Sequence, residues 1–218
     1  MIIFDCNGVL VDSEPIAMAV ATEELQRVGL RVTLEVVARH FTGRRPADMF
    51  ADVEAATGIR LPPGFATMVS AKTLVRLRNE LRTMPHVVHA LNWLHGPKCV
   101  ASSSPIERVQ LSLECTDLMR FFGPNVFSAS GVAAGKPAPD LFLHAAACTG
   151  IDSADCIVVE DSSAGVAAAV AAGMTAIGFV GGGHAAVNLG SHLTAAGAKA
   201  IIADMRALKG VVVSLRGY

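Results

Sequence analysis

The chain begins MIIFDCNGVLVDSE, residues 1–14, in which an apolar run stops abruptly at an aspartate, Asp5. Asn7 and Gly8 follow, then a second apolar triplet and Asp12. In a parallel α/β sheet, ligands bind beyond the carboxyl ends of the strands. The stretch therefore predicts the first strand of such a sheet, with a functional carboxylate directly after it.

Short apolar runs alternate with longer helical patterns through most of the remaining chain. Strands are predicted at Met1–Phe4, Lys98–Ala101, Asn125–Ser128, Cys156–Val159 and Thr175–Phe179. Helices are predicted at Ile106–Leu118, Asp140–Thr149 and Ser163–Ala172. Strands separated by helices indicate right-handed βαβ units and a parallel sheet, whose strands run almost wholly apolar because helices cover both faces. The predicted fold class is α/β.

The stretch from Pro15 to Thr83 has a different pattern. Its apolar residues fall at helical spacing, as in IAMAVATEELQRVGL and FATMVSAKTLVRLRNEL, and it contains no convincing strand. Gly43, Gly58 and Pro62–Gly64 divide its helices. We therefore predict a small all-helical domain, residues 15–83, inserted after the first strand of a core formed by residues 1–14 and 84–218.

The composition gives no support to several classes of partner. The 218 residues carry a net charge of −1, which gives no electrostatic reason to expect nucleic acid or an anionic membrane. The amino terminus has no basic region and its apolar run is short, so we expect no signal peptide and a cytoplasmic protein. The five cysteines form no CxxC pair and are expected to be small buried hydrophobes. The uncharged stretch Ala164–Gly183 is rich in alanine and glycine, which predicts a helix, a turn and a strand rather than a membrane span.

Polar side chains follow four of the predicted strands. Asp5 follows the first and Ser102–Ser104 the second, Lys136 lies in the loop after the third, and Glu160 and Asp161 follow the fourth. Because the carboxyl ends of parallel strands meet at one edge of a sheet, these groups should converge on one crevice. The sequence therefore predicts a single site there.

The acidic members of this set suit a metal-assisted reaction at phosphorus. Asp5 can act as a nucleophile and can also bind a hard cation. Asp161 can add a second carboxylate, with Glu160 close by. Oxygen ligands near a transferring phosphoryl group favour Mg²⁺.

The remaining members suit an anion. Ser102 can donate its hydroxyl to a phosphate, and the helix that starts after Ser103 directs free N–H groups at it. Lys136 supplies a positive charge. Taken singly, each motif also fits an ordinary role, since SSSP and EDSSAG are common helix starts and GKPAPD can be a solvated loop. Their joint placement at one edge favours the functional interpretation.

The order and spacing of these motifs resemble the haloacid dehalogenase superfamily, in particular its sugar-phosphate phosphatases and β-phosphoglucomutase-like members with a helical cap. DCNGVLVDSE resembles the nucleophile motif, VASSS the phosphate-hydroxyl motif, GKPAPD the lysine motif and VEDSSAG the metal-acid motif. The resemblance covers nearly the whole chain. It implies a Rossmann-like core and a cap that closes over a small phosphorylated metabolite.

The resemblance also implies a role for each acid of the site. Asp5 would be the nucleophile that becomes an aspartyl phosphate. Asp5 and Asp161 would bind Mg²⁺ with the backbone carbonyl of Asn7, and Glu160 would be a supporting acid.

The phosphoryl group and the rest of the substrate would have their own ligands. Ser102, Ser103 and Lys136 would hold the phosphoryl group. The cap segment FTGRRPADM would be a substrate loop, with Arg44 or Arg45 as candidate contacts.

The departure from the family pattern is Asn7, because these phosphatases usually have an aspartate there as general acid and base. An amide cannot exchange that proton, so turnover should fall by about 10²–10⁴ while binding is kept. Three explanations remain open at this stage: an engineered trapping substitution, a natural enzyme of low turnover, or a binding protein that kept the fold.

Other activities of the superfamily fit less well. A phosphosugar mutase is expected to have a histidine early in the cap, where this chain has Ala17. A true dehalogenase uses no metal, whereas EDSSAG resembles a metal-binding motif. A phosphonate hydrolase needs a cap lysine, and Lys72 has an unsupportive context. The leading prediction is a Mg²⁺-dependent phosphatase; the alternatives are the mutase and a weakly active protein that binds a phosphorylated metabolite.

Overall fold

A six-stranded, entirely parallel sheet forms the centre of the larger part of the molecule. The computed structural model describes residues 1–41, 46–182 and 188–217. The strands are β1 (Ile2–Phe4), β2 (Lys98–Ser102), β3 (Val126–Ser128), β4 (Ile157–Glu160), β5 (Thr175–Phe179) and β6 (Ala200–Ile202). They lie in the order β3-β2-β1-β4-β5-β6. The predicted α/β class with a parallel sheet is confirmed, and β6 is a strand that the sequence analysis missed.

Ten α-helices are present in the described residues. They are α1 (Glu14–Arg27), α2 (Leu34–Phe41), α3 (Pro46–Thr57), α4 (Phe65–Glu80), α5 (Val87–Trp93), α6 (Ile106–Cys115), α7 (Asp140–Thr149), α8 (Ser163–Ala171), α9 (Leu189–Ala195) and α10 (Leu208–Arg216). The residues at the start of α8 and at the end of α7 explain the positions of these helix ends. The Ser162 hydroxyl accepts from the Gly165 N–H at the start of α8, and Gly150 ends α7 with a φ of 68°.

The chain divides into two compact units, one of Met1–Asp12 with Arg82–Tyr218 and the other of Ser13–Leu81. The first unit contains the sheet. Its core includes Ile3, Ala101, Phe142 and Val158, each with no exposed surface. Complete burial of an aliphatic or aromatic side chain stabilises a fold by about 1.5–3 kcal/mol, so the apolar runs that predicted the strands also supply the core.

The second unit consists of α1–α4. Its apolar core includes Leu25, Phe50 and Phe65, and the rings of Phe50 and Phe65 meet edge to face with centroids 5.0 Å apart. Glu24 of α1 is only 4% exposed and is paired with Lys72 of α4 at 2.8 Å. The apolar core holds this short helical unit together, and the pairing with Lys72 avoids the cost of a buried Glu24 charge without a partner.

The cysteines and the uncharged stretch can now be located. All five cysteines are free thiols; three are buried, whereas Cys115 and Cys148 are exposed, contrary to the expectation that they serve as buried hydrophobes. Burial raises the pKa of the Cys99 thiol to about 12. The stretch Ala164–Gly183 contains α8, a turn and β5. Across the described ranges, no helix combines the length and apolar character needed to cross a membrane.

Candidate active site

Asp5 lies at the carboxyl end of the central strand β1, between the ends of β2 and β4. Its N–H donates to the carbonyl of Val159 at 3.0 Å, which extends the β1–β4 pairing by one residue and fixes the backbone there. The residue is 7% exposed. The sheet therefore holds this carboxylate in a nearly dry position at its carboxyl edge.

Lys136 is held by three acceptors at the same edge. Its Nζ donates to Asp5 Oδ1 at 2.6 Å, to Glu160 Oε1 at 2.5 Å and to the carbonyl oxygen of Ala101 at 3.0 Å. Its side chain is only 4% exposed, and Nζ lies 5.0 Å from the centre of the Phe142 ring. Because an ammonium group has three N–H donors, these bonds fix its position completely.

The charges of this cluster strongly influence one another. Burial, together with the negative charges of Glu160 and Asp161, raises the pKa of Asp5 to about 8, although Lys136 opposes the shift. Burial lowers the pKa of Lys136, but the carboxylates of Asp5 and Glu160 outweigh it and the net shift is upward. The lysine is therefore charged at neutral pH, and the pKa of Asp5 lies above that of an ordinary aspartate.

Glu160, at the end of β4, is held from both sides. Its Oε1 accepts from Lys136, and its Oε2 accepts from the Ser162 N–H at 3.1 Å and the Ser162 hydroxyl at 2.9 Å. It is 1% exposed. Both oxygens thus have protein partners, and the oxygen bonded to Lys136 orients its ammonium group.

Gly165 makes this position of Glu160 sterically possible. A Cβ atom at residue 165 would lie 1.9 Å from Cδ of Glu160 and 2.0 Å from Oε1. We expect Gly165→Ala to displace the glutamate from Lys136 and to lower the free energy of unfolding by about 1–3 kcal/mol, as overpacking in a core does. Urea unfolding followed by circular dichroism would measure the change.

The matched control is Gly210, a glycine within α10 where an added Cβ would contact nothing within 4 Å. Gly210→Ala should stabilise the protein by about 0.5–1 kcal/mol, because alanine is the better helix former. Equal stability of Gly165→Ala and the parent protein would contradict the steric argument.

A second set of contacts joins the loops that follow β1, β2 and β3. Asn7 Nδ2 donates to the Ser104 hydroxyl at 2.8 Å, and the Ser104 N–H donates to the Ser102 hydroxyl at 3.2 Å. The Ser128 hydroxyl donates to the Ser104 carbonyl oxygen at 2.6 Å. Ser102 is 1% exposed. No role was predicted for Ser104 or Ser128, although the third serine of SSS was a visible signal in the sequence.

The remaining candidates are placed less directly. Asp161 lies beyond the end of β4, close enough for its charge to act on Asp5. Ser103 is exposed in the loop before α6. Arg44 and Arg45 lie outside the residues that the structure describes.

The acids of the cluster suit a divalent cation. When ionised, Asp5, Glu160 and Asp161 carry three negative charges against the positive charge of Lys136, and the charges of Glu160 and Asp161 add to the effect of burial in raising the pKa of Asp5. Among the described residues, no three histidine, cysteine, aspartate or glutamate side chains already form a metal cage. Mg²⁺ is usually held by one or two carboxylates together with water and substrate phosphates, so the donor set fits this ion.

Two comparisons concern the amino-acid sequence. Residues 1–173 match the family model described as haloacid dehalogenase-like hydrolase. The chain is 30% identical over 184 residues to 6-phosphogluconate phosphatase of Escherichia coli (strain K12), covering 84% of this chain and 83% of that protein.

Two solved structures are similar over nearly the full length. One is a conserved haloacid dehalogenase-like protein of unknown function, ATU0790, from Agrobacterium tumefaciens str. C58, with 35% identity, a TM-score of 0.88, and coverage of 99% of this chain and 98% of that one. The other is a HAD family hydrolase from Deinococcus radiodurans R1 with bound phosphate and sodium, with 29% identity, a TM-score of 0.83, and coverage of 98% and 94%. The likeness therefore extends over both the sheet-containing and the helical parts of the chain.

Proposed function

The chain belongs to the haloacid dehalogenase-like hydrolases, and on that basis we propose that it is a Mg²⁺-dependent phosphatase of small phosphorylated metabolites. The observation that carries the proposal is the Lys136 ammonium fixed between Asp5 and Glu160. A buried lysine in direct contact with a buried aspartate at the carboxyl edge of a parallel sheet suits an anionic reaction at that aspartate.

The proposed reaction has two steps. A carboxylate oxygen of Asp5 attacks phosphorus, the bond from phosphorus to the ester oxygen breaks, and an aspartyl phosphate forms. Water then attacks the aspartyl phosphate, which releases inorganic phosphate and restores the carboxylate. Ser102, Ser103 and Lys136 bind the phosphoryl oxygens. Lys136 also stabilises the negative charge that develops around them.

The metal has a limited role in this proposal. Asp5, Asp161 and the backbone carbonyl of Asn7 would hold Mg²⁺, which supplies positive charge to the phosphoryl oxygens when bound.

Asn7 is the residue that limits the proposed turnover. Its amide neither donates a proton to the leaving alcohol nor takes one from the attacking water. Binding and slow phosphoryl transfer are therefore kept, and hydrolysis is impaired. This same residue favours the second candidate, a weakly active protein that binds a phosphorylated metabolite.

The substrate class rests on similarity. The matched E. coli protein is named for 6-phosphogluconate, a phosphorylated sugar acid. We infer a sugar or polyol phosphate, or a phosphorylated sugar acid, as substrate. The test is release of inorganic phosphate from a panel of such esters, with and without Mg²⁺, by the parent protein and by Asn7→Asp. The proposal fails if neither protein hydrolyses any ester of the panel.

The raised pKa of Asp5 predicts how Mg²⁺ binding depends on pH. A raised pKa means that the Asp5 carboxyl takes up a proton at a higher pH than an ordinary aspartate does, and a cation must displace that proton in order to bind. Mg²⁺ that binds only the native state raises its stability, so the Mg²⁺-induced increase in Tm should be larger at pH 8 than at pH 6. Thermal unfolding across a Mg²⁺ titration at both pH values would measure it.

The control for this prediction is a pair of aspartate variants. Asp161→Asn should remove the Mg²⁺ effect at both pH values. Asp117→Asn, at a side chain that is 75% exposed and paired with Arg120, should leave it unchanged. A Tm that stays constant across the titration in the parent protein would exclude the metal from the proposed function.

A further inference from the structure

Ser104 uses all three of its polar groups at the sheet edge. Its hydroxyl accepts from Asn7 after β1, its N–H donates to Ser102 at the end of β2, and its carbonyl oxygen accepts from Ser128 at the end of β3. The contact with Asn7 joins two side chains that are 97 positions apart. One residue therefore ties together the ends of three neighbouring strands.

We propose that Ser104 is a positioning residue that sets the orientation of the side chain at position 7, and that Ser128 fixes Ser104 through its carbonyl oxygen. The importance of position 7 for turnover rests on the proposed phosphatase function. The contact itself does not, and its test includes a readout that needs no activity.

The geometry separates this role from binding of the phosphoryl group. The N–H of Ser104 contacts Ser102, whereas its hydroxyl contacts Asn7. Ser104→Ala removes the hydroxyl and leaves the N–H in place. The variant should therefore hold the side chain at position 7 less firmly while keeping the contact with Ser102.

The first readout is deamidation at Asn7-Gly8. In this reaction the Gly8 nitrogen attacks the side-chain carbonyl carbon of Asn7, ammonia leaves, and water opens the ring to aspartate or isoaspartate. The Gly8 N–H donates to the Val11 carbonyl at 2.8 Å, and this bond is common to all the variants. The rate then depends on how firmly the Asn7 side chain is held.

Peptide mass spectrometry of aged protein would follow this reaction in each variant. We expect Ser104→Ala to deamidate about fivefold faster than the parent, the effect of one net hydrogen bond, and Ser104→Thr to restore the slow rate. Ser128→Ala should give a smaller acceleration, because it keeps the Ser104 hydroxyl. Ser130→Ala is the matched control, since Ser130 is exposed and contacts Ser128 through its backbone N–H.

The second readout uses Asn7→Asp, in which the proposed acid–base group is present. Adding Ser104→Ala should lower kcat by about tenfold with little change in KM, because the phosphoryl ligands stay in place. Adding Ser104→Thr should preserve kcat. Adding Ser130→Ala should have no effect.

The outcomes separate the two proposals. If Asn7→Asp hydrolyses no phosphate ester, the phosphatase proposal fails, and faster deamidation of Ser104→Ala still supports positioning. If Ser104→Ala deamidates at the parent rate, the positioning role is overturned. Should Ser104→Ala fail to fold, Ser128→Ala decides the question: faster deamidation supports the role, and the parent rate overturns it.

Discussion

Replacing Lys136 with methionine is expected to lower the free energy of unfolding by about 3–5 kcal/mol, because it leaves buried acids without their cation. Asp5 and Glu160 are 7% and 1% exposed, and each gives an oxygen to Lys136. Without the ammonium, both acids lose the cation with which they are paired, and a buried charge without its partner is costly. Denaturant unfolding at fixed pH would measure the loss.

The loss of stability in Lys136→Met should depend on pH. Burial already raises the pKa of Asp5 to about 8, and loss of Lys136 removes the largest opposing influence. The native state of the variant can then lower the free-energy cost of its buried negative charges by taking up protons. The deficit of Lys136→Met should therefore be smaller at pH 6 than at pH 8.

Two comparisons test whether the loss comes from the buried charges. Lys199→Met changes an exposed lysine and should alter stability by no more than about 0.5 kcal/mol. Adding Glu160→Gln to Lys136→Met removes one unpaired charge and should recover part of the loss, which a double-mutant cycle quantifies. Similar small effects at Lys136 and Lys199 would show that the cluster contributes little to stability.

The main outline of the fold was predictable because the buried strands are apolar and the polar site residues follow directly after them. Strands β1, β2 and β4 are apolar runs that end at polar residues, and this pattern fixed both the strand and the edge on which the site lies. Length does not explain why strand β6 was missed, since β1 and β3 also have 3 residues and were predicted. The β6 run AII lies within an alanine-rich stretch, and alanine favours a helix; Ile201 is also 36% exposed.

The residues of the candidate site could be predicted from the sequence, but most of the contacts between them could not. Adjacent acids at residues 160 and 161 cannot be told apart from sequence, since only the folded backbone decides which of them meets Lys136. The bond from Asn7 to Ser104 depends on side-chain orientation across two strands and has no local signal. Gly165, in contrast, did have a local signal in the sequence. A glycine in the first turn of a helix destabilises the helix, so its presence there indicates that another group approaches the backbone closely.

The second large effect concerns Asn7, and it follows from the two steps of the proposed reaction. With p-nitrophenyl phosphate the leaving group departs as a stable anion, so formation of the aspartyl phosphate does not require a proton donor. Hydrolysis of that intermediate does require a base to activate water. We therefore expect a burst of nitrophenol, at most one per active site, followed by slow turnover.

Restoring the carboxylate should remove the slow step. Asn7→Asp is expected to raise the steady-state rate by at least about 10²-fold, with substrate affinity similar to that of the parent. Stopped-flow absorbance would resolve the burst and the steady phase. The burst should shrink or vanish in the variant, because the intermediate no longer accumulates.

Deamidation at Asn7-Gly8 is the main confounding reaction, since it converts part of any sample into the restored enzyme. Both the hydrogen bond from Asn7 to Ser104 and that from the Gly8 N–H to Val11 should slow it. Kinetics on freshly prepared protein, with the deamidated fraction measured by peptide mass spectrometry, therefore separates the true rate from the contaminant. If undeamidated protein already turns over as fast as Asn7→Asp, then residue 7 does not serve as the acid–base group, and the low turnover proposed for this chain is wrong.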